Sequence, residues 1–126
     1  LNNIDILKKK SGFLSGHIFK IPTEETKFEL NIYPRTKKKN IQSTIRPYDK
    51  WFNTFINKSI PVNNTYICMK STFAVTKDLI LSNSKDYYVH LLEEVEKHSI
   101  CGHDSEIPHY FERAWVEIFC WVKPAF

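Results

Sequence analysis

The sequence predicts an α/β or α+β domain in which about three helices pack on a small mixed sheet. Apolar residues recur at helical spacing near residues 47–57, 84–98 and 107–120, and strand-like patterns lie near 26–34 and 65–76. The chain has 126 residues, of which 42% are hydrophobic, so it can bury a core of its own. We therefore expect residues 1–126 to be a single domain or the C-terminal portion of a larger one.

The first part of the chain, residues 1–45, is basic and less regular than the rest. Over residues 26–34 apolar and polar residues alternate, which predicts a half-buried strand. Its apolar face would consist of Phe28, Leu30 and Ile32. Residues 35–40 follow as a lysine-rich loop around Lys37–Lys39. Sequence-tolerant nucleic-acid binding also needs aromatic residues among the charges, and this loop has none, so we expect no nucleic-acid partner.

The first predicted helix carries an aromatic face. Pro47 suits the first helical turn, and the aromatic residues that follow are spaced for one side of a helix. They are Tyr48, Trp51, Phe52 and Phe55. Such a face is most simply part of the core. At the edge of a cleft, however, Tyr48 and Trp51 could stack on the apolar face of a sugar ring.

The middle of the chain predicts one interrupted strand followed by two helical segments. Residues 65–76 are rather continuously apolar, as in a strand that is buried on both faces, and residues 70–72 interrupt them. Thr76 would cap a short helical turn, and Ser84 or Ser82 would cap the helix near 84–98. The core stripe of that helix would consist of Tyr88, Leu91, Leu92 and Val95.

The helix near 107–120 combines an apolar stripe with a chemically versatile polar stripe. The polar residues are Glu106, His109, Glu112 and Arg113. Near the positive end of the helix dipole Glu106 would be ionised, which suits a general base, with Glu112 as its rival. His109 could bind a metal or a diphosphate, and Arg113 could pair with phosphate or hold Glu106. An ordinary solvated face explains the same spacing, and from spacing alone it is the favoured interpretation.

Other sites are less well supported by the sequence. The side chains His98, Cys101, His103, Asp104 and His109 are acceptable zinc ligands, but their spacing matches no established zinc motif. A Cys101 nucleophile beside His103 matches no cysteine hydrolase pattern. The chain has three glycines and no glycine-rich phosphate loop. It also has no apolar run of about 20 residues, which a membrane-spanning helix would need.

Charge and cysteine content say little about the compartment. Residues 1–60 carry a net charge of +7 and residues 61–126 carry −3, which could attract phosphate-bearing partners, although a solvated surface is the simpler explanation. Three cysteines without short spacing predict reduced thiols, which are typical of the cytosol. Two glycosylation sequons, at Asn57 and Asn63, point the other way.

Residues 46–120 resemble the C-terminal half of a glycosyltransferase-like (GT-A-type) domain family found in fungi, algae, bacteria and large viruses. The matching segments are Thr72-Phe73-Ala74-Val75-Thr76, Ile80, Tyr87-Tyr88, Leu91-Leu92, Glu106-Ile107-Pro108-His109-Tyr110-Phe111-Glu112-Arg113-Ala114-Trp115 and Ile118-Phe119. Tyr48 and Trp51 are similar to the aromatic helix that lies upstream in that family.

The resemblance implies transfer of a sugar from a nucleotide-sugar donor to a hydroxyl acceptor, with Mn or Mg as the possible metal. It implies a Golgi-type or cytoplasmic compartment. The chain departs from the family pattern because it contains no Asp-x-Asp motif and no run of alternating βα units. It begins at Leu1, so we expect an interior piece of a longer protein, which could be inactive alone. The alternative is a non-catalytic interaction or structural protein, such as a component of a large virus particle, built on a transferase remnant.

Overall fold

The structure is a computed structural model with mixed helix and strand content, as predicted. It describes residues 13–14, 18–20, 26–32, 34–35, 37, 40–56, 66–68, 70 and 72–119. The helices in these ranges are α1 (Tyr48–Phe55), α2 (Lys77–Leu81), α3 (Lys85–Lys97) and α4 (Ile107–Ile118). The strands are β1 (Phe13–Leu14), β2 (Ile18–Lys20), β3 (Tyr66–Cys68) and β4 (Ala74–Val75). No helix within these ranges is both long enough and apolar enough to cross a bilayer.

The strands pair as two separate two-stranded antiparallel ladders, so the described residues do not confirm a single small mixed sheet. β1 pairs with β4, and β2 pairs with β3 in a register that places Phe19 opposite Ile67. Two-stranded ladders this short are not stable on their own. The helix α4 supports them by packing directly on β3. The predicted interruption near residue 70 is confirmed, since Lys70 lies between β3 and β4 with a positive φ of 64°.

The predicted strand over residues 26–34 is wrong for the residues that the structure describes there. Thr26 and Lys27 belong to a 3₁₀ turn, and Ile32 is 52% exposed. The main chain of this segment bonds to other partners: Phe28 O accepts the N–H of Tyr48, and the N–H of Leu30 donates to a side chain of α4. Alternation predicted that Phe28 faces the core, on which it packs half-buried, but not these long-range partners.

The three longer helices lie where the periodicity predicts them. Thr76 and Ser84 cap α2 and α3, each accepting a hydrogen bond from the main-chain N–H three residues later. Pro108 lies in the first turn of α4, as expected, whereas Pro47 stands one residue before α1. The basic tract Lys38–Lys39 and the N-terminal residues 1–12 lie outside the described residues.

An aromatic core joins α1 to α4. Trp51 is fully buried, with its ring centroid 5.3 Å from that of Tyr110 and 5.1 Å from that of Phe111. Tyr48 is 1% exposed and also contacts Tyr110. A second cluster, formed by Cys68, Val116 and Phe119, fills the space between β3 and the other side of α4. The core interpretation of the aromatic face on α1 is therefore confirmed.

Candidate functional site

The carboxylate of Glu106 is fully buried at the start of α4 and is bound by donors from the 30–46 segment. Its Oε2 accepts from the main-chain N–H of Leu30 at 2.6 Å, and Oε1 accepts from that of Ser43 at 2.9 Å. The guanidinium of Arg46 donates through Nε to Oε1 at 2.9 Å and through Nη2 to Oε2 at 2.9 Å. We call this arrangement of Glu106, Leu30, Ser43 and Arg46 the Glu106 clamp. Bidentate, charge-assisted pairs between an arginine and a carboxylate contain some of the stronger hydrogen bonds in proteins.

Arg46 extends the clamp outward and was not foreseen from the sequence. Its Nη1 lies 3.0 Å from Oε2 of Glu29, and its Nη2 lies 2.7 Å from Oδ1 of Asn31. The hydrogen bond to Glu106 raises the pKa of the Arg46 guanidinium, which stays charged. The sequence around Pro47 predicts only the start of a helix. It gives no sign of an ion pair, because the partner of Arg46 lies 60 residues away.

Of the roles expected for Arg113, holding Glu106 is not observed, because Arg46 holds that carboxylate. Nη1 of Arg113 lies 3.8 Å from Oε1 of Glu112. Arg113 is only 8% exposed, and its guanidinium lies over the ring of Phe28, with Cζ 3.5 Å from the ring centroid. Its Nη1 donates to the main-chain oxygen of His109 at 3.0 Å. A cation over an aromatic face is stabilising, and this position leaves little surface for a phosphate.

The other predicted site residues are also structural in their contacts. Oε2 of Glu112 accepts from the main-chain N–H of Lys70 at 2.6 Å, and so holds the turn between β3 and β4. Tyr48 and Trp51 are too deeply buried to present a face to a sugar ring. Burial also raises the pKa of the Tyr48 hydroxyl far above its usual range.

His109 is the predicted site residue that lines an open cleft. The cleft has a volume of about 300 Å³ and lies between the α3–α4 loop and the first turn of α4. It is lined by Ser99, Ile100, His103, Asp104, Ser105, Pro108 and His109. Burial lowers the pKa of the His109 imidazole, and the opposing effect of the Glu112 charge is smaller. The imidazole is therefore neutral at pH 7 and can accept a proton.

The described residues contain no cluster of metal-ligating side chains. No three His, Cys, Asp or Glu side chains in the described ranges are grouped closely enough to share an ion. In the predicted zinc set, His98 is buried with both ring nitrogens engaged. Nε2 accepts from the N–H of Thr44 at 3.3 Å, and Nδ1 lies 2.9 Å from the main-chain oxygen of Glu94. Cys101 is exposed. A divalent metal at His109 stays a prediction.

A second hollow, of about 360 Å³, lies between α3 and α4 and is almost entirely apolar. Its lining consists of Tyr88, Leu91, Leu92, Val95, Pro108, Phe111 and Trp115. Leu92 was expected in the core stripe of α3, but it is 54% exposed at the rim, while Leu91 is 4% exposed. Adjacent residues on a helix point about 100° apart, and Leu92 lies at the edge of the buried face to which Leu91 belongs.

Comparison with known proteins found no matching family model, no matching curated protein and no matching solved structure. The glycosyltransferase-like resemblance therefore stays a prediction.

Proposed function

We propose that the chain is the acceptor-side part of a glycosyltransferase-like domain, which transfers a sugar from a nucleotide-sugar donor to a hydroxyl group. The observation that carries the proposal is the polar cleft at the start of α4, where the neutral imidazole of His109 lies with Asp104 and His103. Its volume of about 300 Å³ falls at the lower end of the range for small-molecule sites. The family resemblance supplies the reaction class.

In this proposal His109 is the base, instead of Glu106 or Glu112. The acceptor hydroxyl donates a hydrogen bond to the imidazole and passes its proton to it as the acceptor oxygen attacks the anomeric carbon of the donor. The bond from that carbon to the diphosphate oxygen breaks, and the nucleoside diphosphate leaves. A base must be unprotonated before the reaction, and the burial that lowers the pKa of His109 keeps it so at neutral pH.

Glu106 acts as a positioning residue in the same proposal. Its carboxylate oxygens are occupied by Leu30, Ser43 and Arg46, so it cannot also accept the proton of an acceptor hydroxyl. Its main-chain oxygen accepts the N–H of His109 at 3.0 Å. The Glu106 clamp therefore fixes the first turn of α4 and, through it, the direction of the imidazole.

The test uses the longest native chain that contains these residues and a panel of nucleotide-sugars, with release of nucleoside diphosphate as the readout. General bases contribute roughly 10²–10⁴-fold, so we expect His109→Gln to lower turnover at least a hundredfold. His90→Gln is the matched control, since His90 is an exposed residue of α3 and not part of the cleft. If His109→Gln turns over the donor as fast as the unsubstituted chain, His109 is not the base.

A second candidate function is a non-catalytic interaction or structural protein. It is favoured by the deep burial of four predicted site residues, which contribute to the core and not to an open surface: Tyr48, Trp51, Glu106 and Arg113. This candidate predicts that the longest native chain is folded, shows cooperative unfolding and turns over none of the nucleotide-sugars. Turnover that depends on His109 would reject it.

A further inference from the structure

A third hollow, of about 480 Å³, lies beside the Glu106 clamp and has no part in the chemistry proposed above. Its lining within the described residues consists of Asn31, Ile32, Asn40 and Gln42. We call it the amide hollow, because three of these four residues carry side-chain amides. Asn31 also touches the clamp, since its Oδ1 accepts from Nη2 of Arg46 at 2.7 Å.

Asn40 is the residue that points to a ligand. It is 9% exposed, and neither its Oδ1 nor its Nδ2 has a hydrogen-bond partner among the residues that the structure describes. Buried side-chain amides in folded proteins are almost always hydrogen-bonded, so an unmet amide at the edge of a cavity needs an explanation. A ligand with both donor and acceptor groups would satisfy it after a small rotation of the side chain.

The orientation of the other two amides follows from Arg46. A guanidinium only donates, so the Asn31 atom that it contacts is the carbonyl oxygen. The Gln42 atom that lies 3.2 Å from the same oxygen must then be the amide nitrogen. Within the described residues, this leaves the NH₂ group of Asn31 and the carbonyl oxygen of Gln42 for a ligand. Both residues are exposed.

The lining fits a neutral ligand that carries many hydroxyl groups. Each hydroxyl both donates and accepts, and the four described lining residues offer donors and acceptors in similar number, with no cationic side chain among them. A phosphate accepts only, and its usual partners are Arg and Lys. Ile32, which is 52% exposed, offers an apolar contact for the C–H face of a sugar ring.

We infer that the amide hollow binds a saccharide through Asn31, Asn40 and Gln42. The inference rests on the proposed function in one respect: the saccharide is assigned as part of the acceptor, outside the reacting position. The two sites adjoin through the main chain, because the N–H of Ile41 donates to Asp104 O at 2.8 Å and the N–H of Glu106 donates to Ile41 O at 2.9 Å. An acceptor longer than one ring could therefore contact both.

The test is NMR titration of the ¹⁵N-labelled chain with methyl glucoside, methyl galactoside, N-acetylglucosamine and, separately, inorganic phosphate. We expect at least one sugar to shift the side-chain NH₂ signals of Asn31, Asn40 and Gln42 in a saturable way, and phosphate to leave them in place. Asn40→Leu and Gln42→Leu should each raise the Kd at least fivefold. The matched control is Asn53→Leu, at an exposed position of α1, which should leave the Kd unchanged.

Three results would overturn the inference: no shift with any sugar, tighter binding of phosphate at the same three signals, or an unchanged Kd in both amide variants. Gln42→Leu keeps the test decisive even if Asn40→Leu does not fold, because Gln42 is exposed. Transfer activity without sugar binding in the hollow rejects this inference alone. Sugar binding without transfer activity supports it and rejects the proposed function.

Discussion

Replacing Arg46 by Met removes the guanidinium from the Glu106 clamp while keeping much of the length of the side chain. Glu106, which is 0% exposed, would keep the main-chain N–H groups of Leu30 and Ser43 but lose its counter-ion and the three hydrogen bonds from Arg46. Removing one partner of a buried ion pair costs about 3–5 kcal/mol. Because two donors remain and the Arg46 side chain is 20% exposed, we expect the lower end, about 3 kcal/mol.

Urea unfolding at pH 7 measures this loss directly, and the melting temperature should fall by roughly 10 °C for a domain of this size. Arg35→Met is the matched control, since Arg35 is exposed, and it should change stability by less than about 0.5 kcal/mol. Arg46→Met combined with Glu106→Gln should be less destabilised than the sum of the single variants, because the amide leaves no unpaired buried charge. If Arg46→Met is as stable as Arg35→Met, the clamp does not carry the stability assigned to it.

Three further predictions concern single side chains. Because the pKa of His109 is lowered in the folded state, the unfolded state binds the proton first as the pH falls. The contribution of His109 to stability is therefore complete above about pH 6.5 and declines below it. NMR titration of the imidazole should give a midpoint below that value. Asn40→Leu removes a buried amide that has no hydrogen-bond partner among the described residues, and it should raise the free energy of unfolding in the absence of ligand by about 1 kcal/mol in urea titration. Trp51→Phe removes the N–H donor 3.2 Å from Oε1 of buried Glu94 and part of a fully buried ring, and should lower the melting temperature by an amount equivalent to at least about 1–3 kcal/mol.

The helices could be predicted from the sequence because their signals are local. Apolar spacing fixed the positions of α1, α3 and α4, and the caps at Thr76 and Ser84 follow from residue type alone. A helix period also predicts a core face, but not its width. For that reason Leu92 was expected inside and lies at the surface, one position away from buried Leu91.

The candidate site was less predictable because its contacts join distant segments. The polar stripe of α4 was found from spacing, yet spacing cannot tell a carboxylate that faces a cleft from one that binds an arginine 60 residues earlier. The same carboxylate explains why residues 26–32 do not form the predicted strand. The N–H of Leu30 donates to Glu106 and not to a neighbouring strand. The alternation of Phe28, Leu30 and Ile32 is a local signal, and a buried charge overrode it.

The Glu106 clamp also couples local unfolding of the segments around residues 30 and 43 to that of α4. The N–H groups of Leu30 and Ser43 lie outside helices and strands, where amide protons usually exchange quickly with solvent. Here each N–H donates to the buried carboxylate of Glu106 at the start of α4. Their exchange rates are therefore tied to local unfolding of the start of α4, and this segment belongs to the same cooperative unit as that helix.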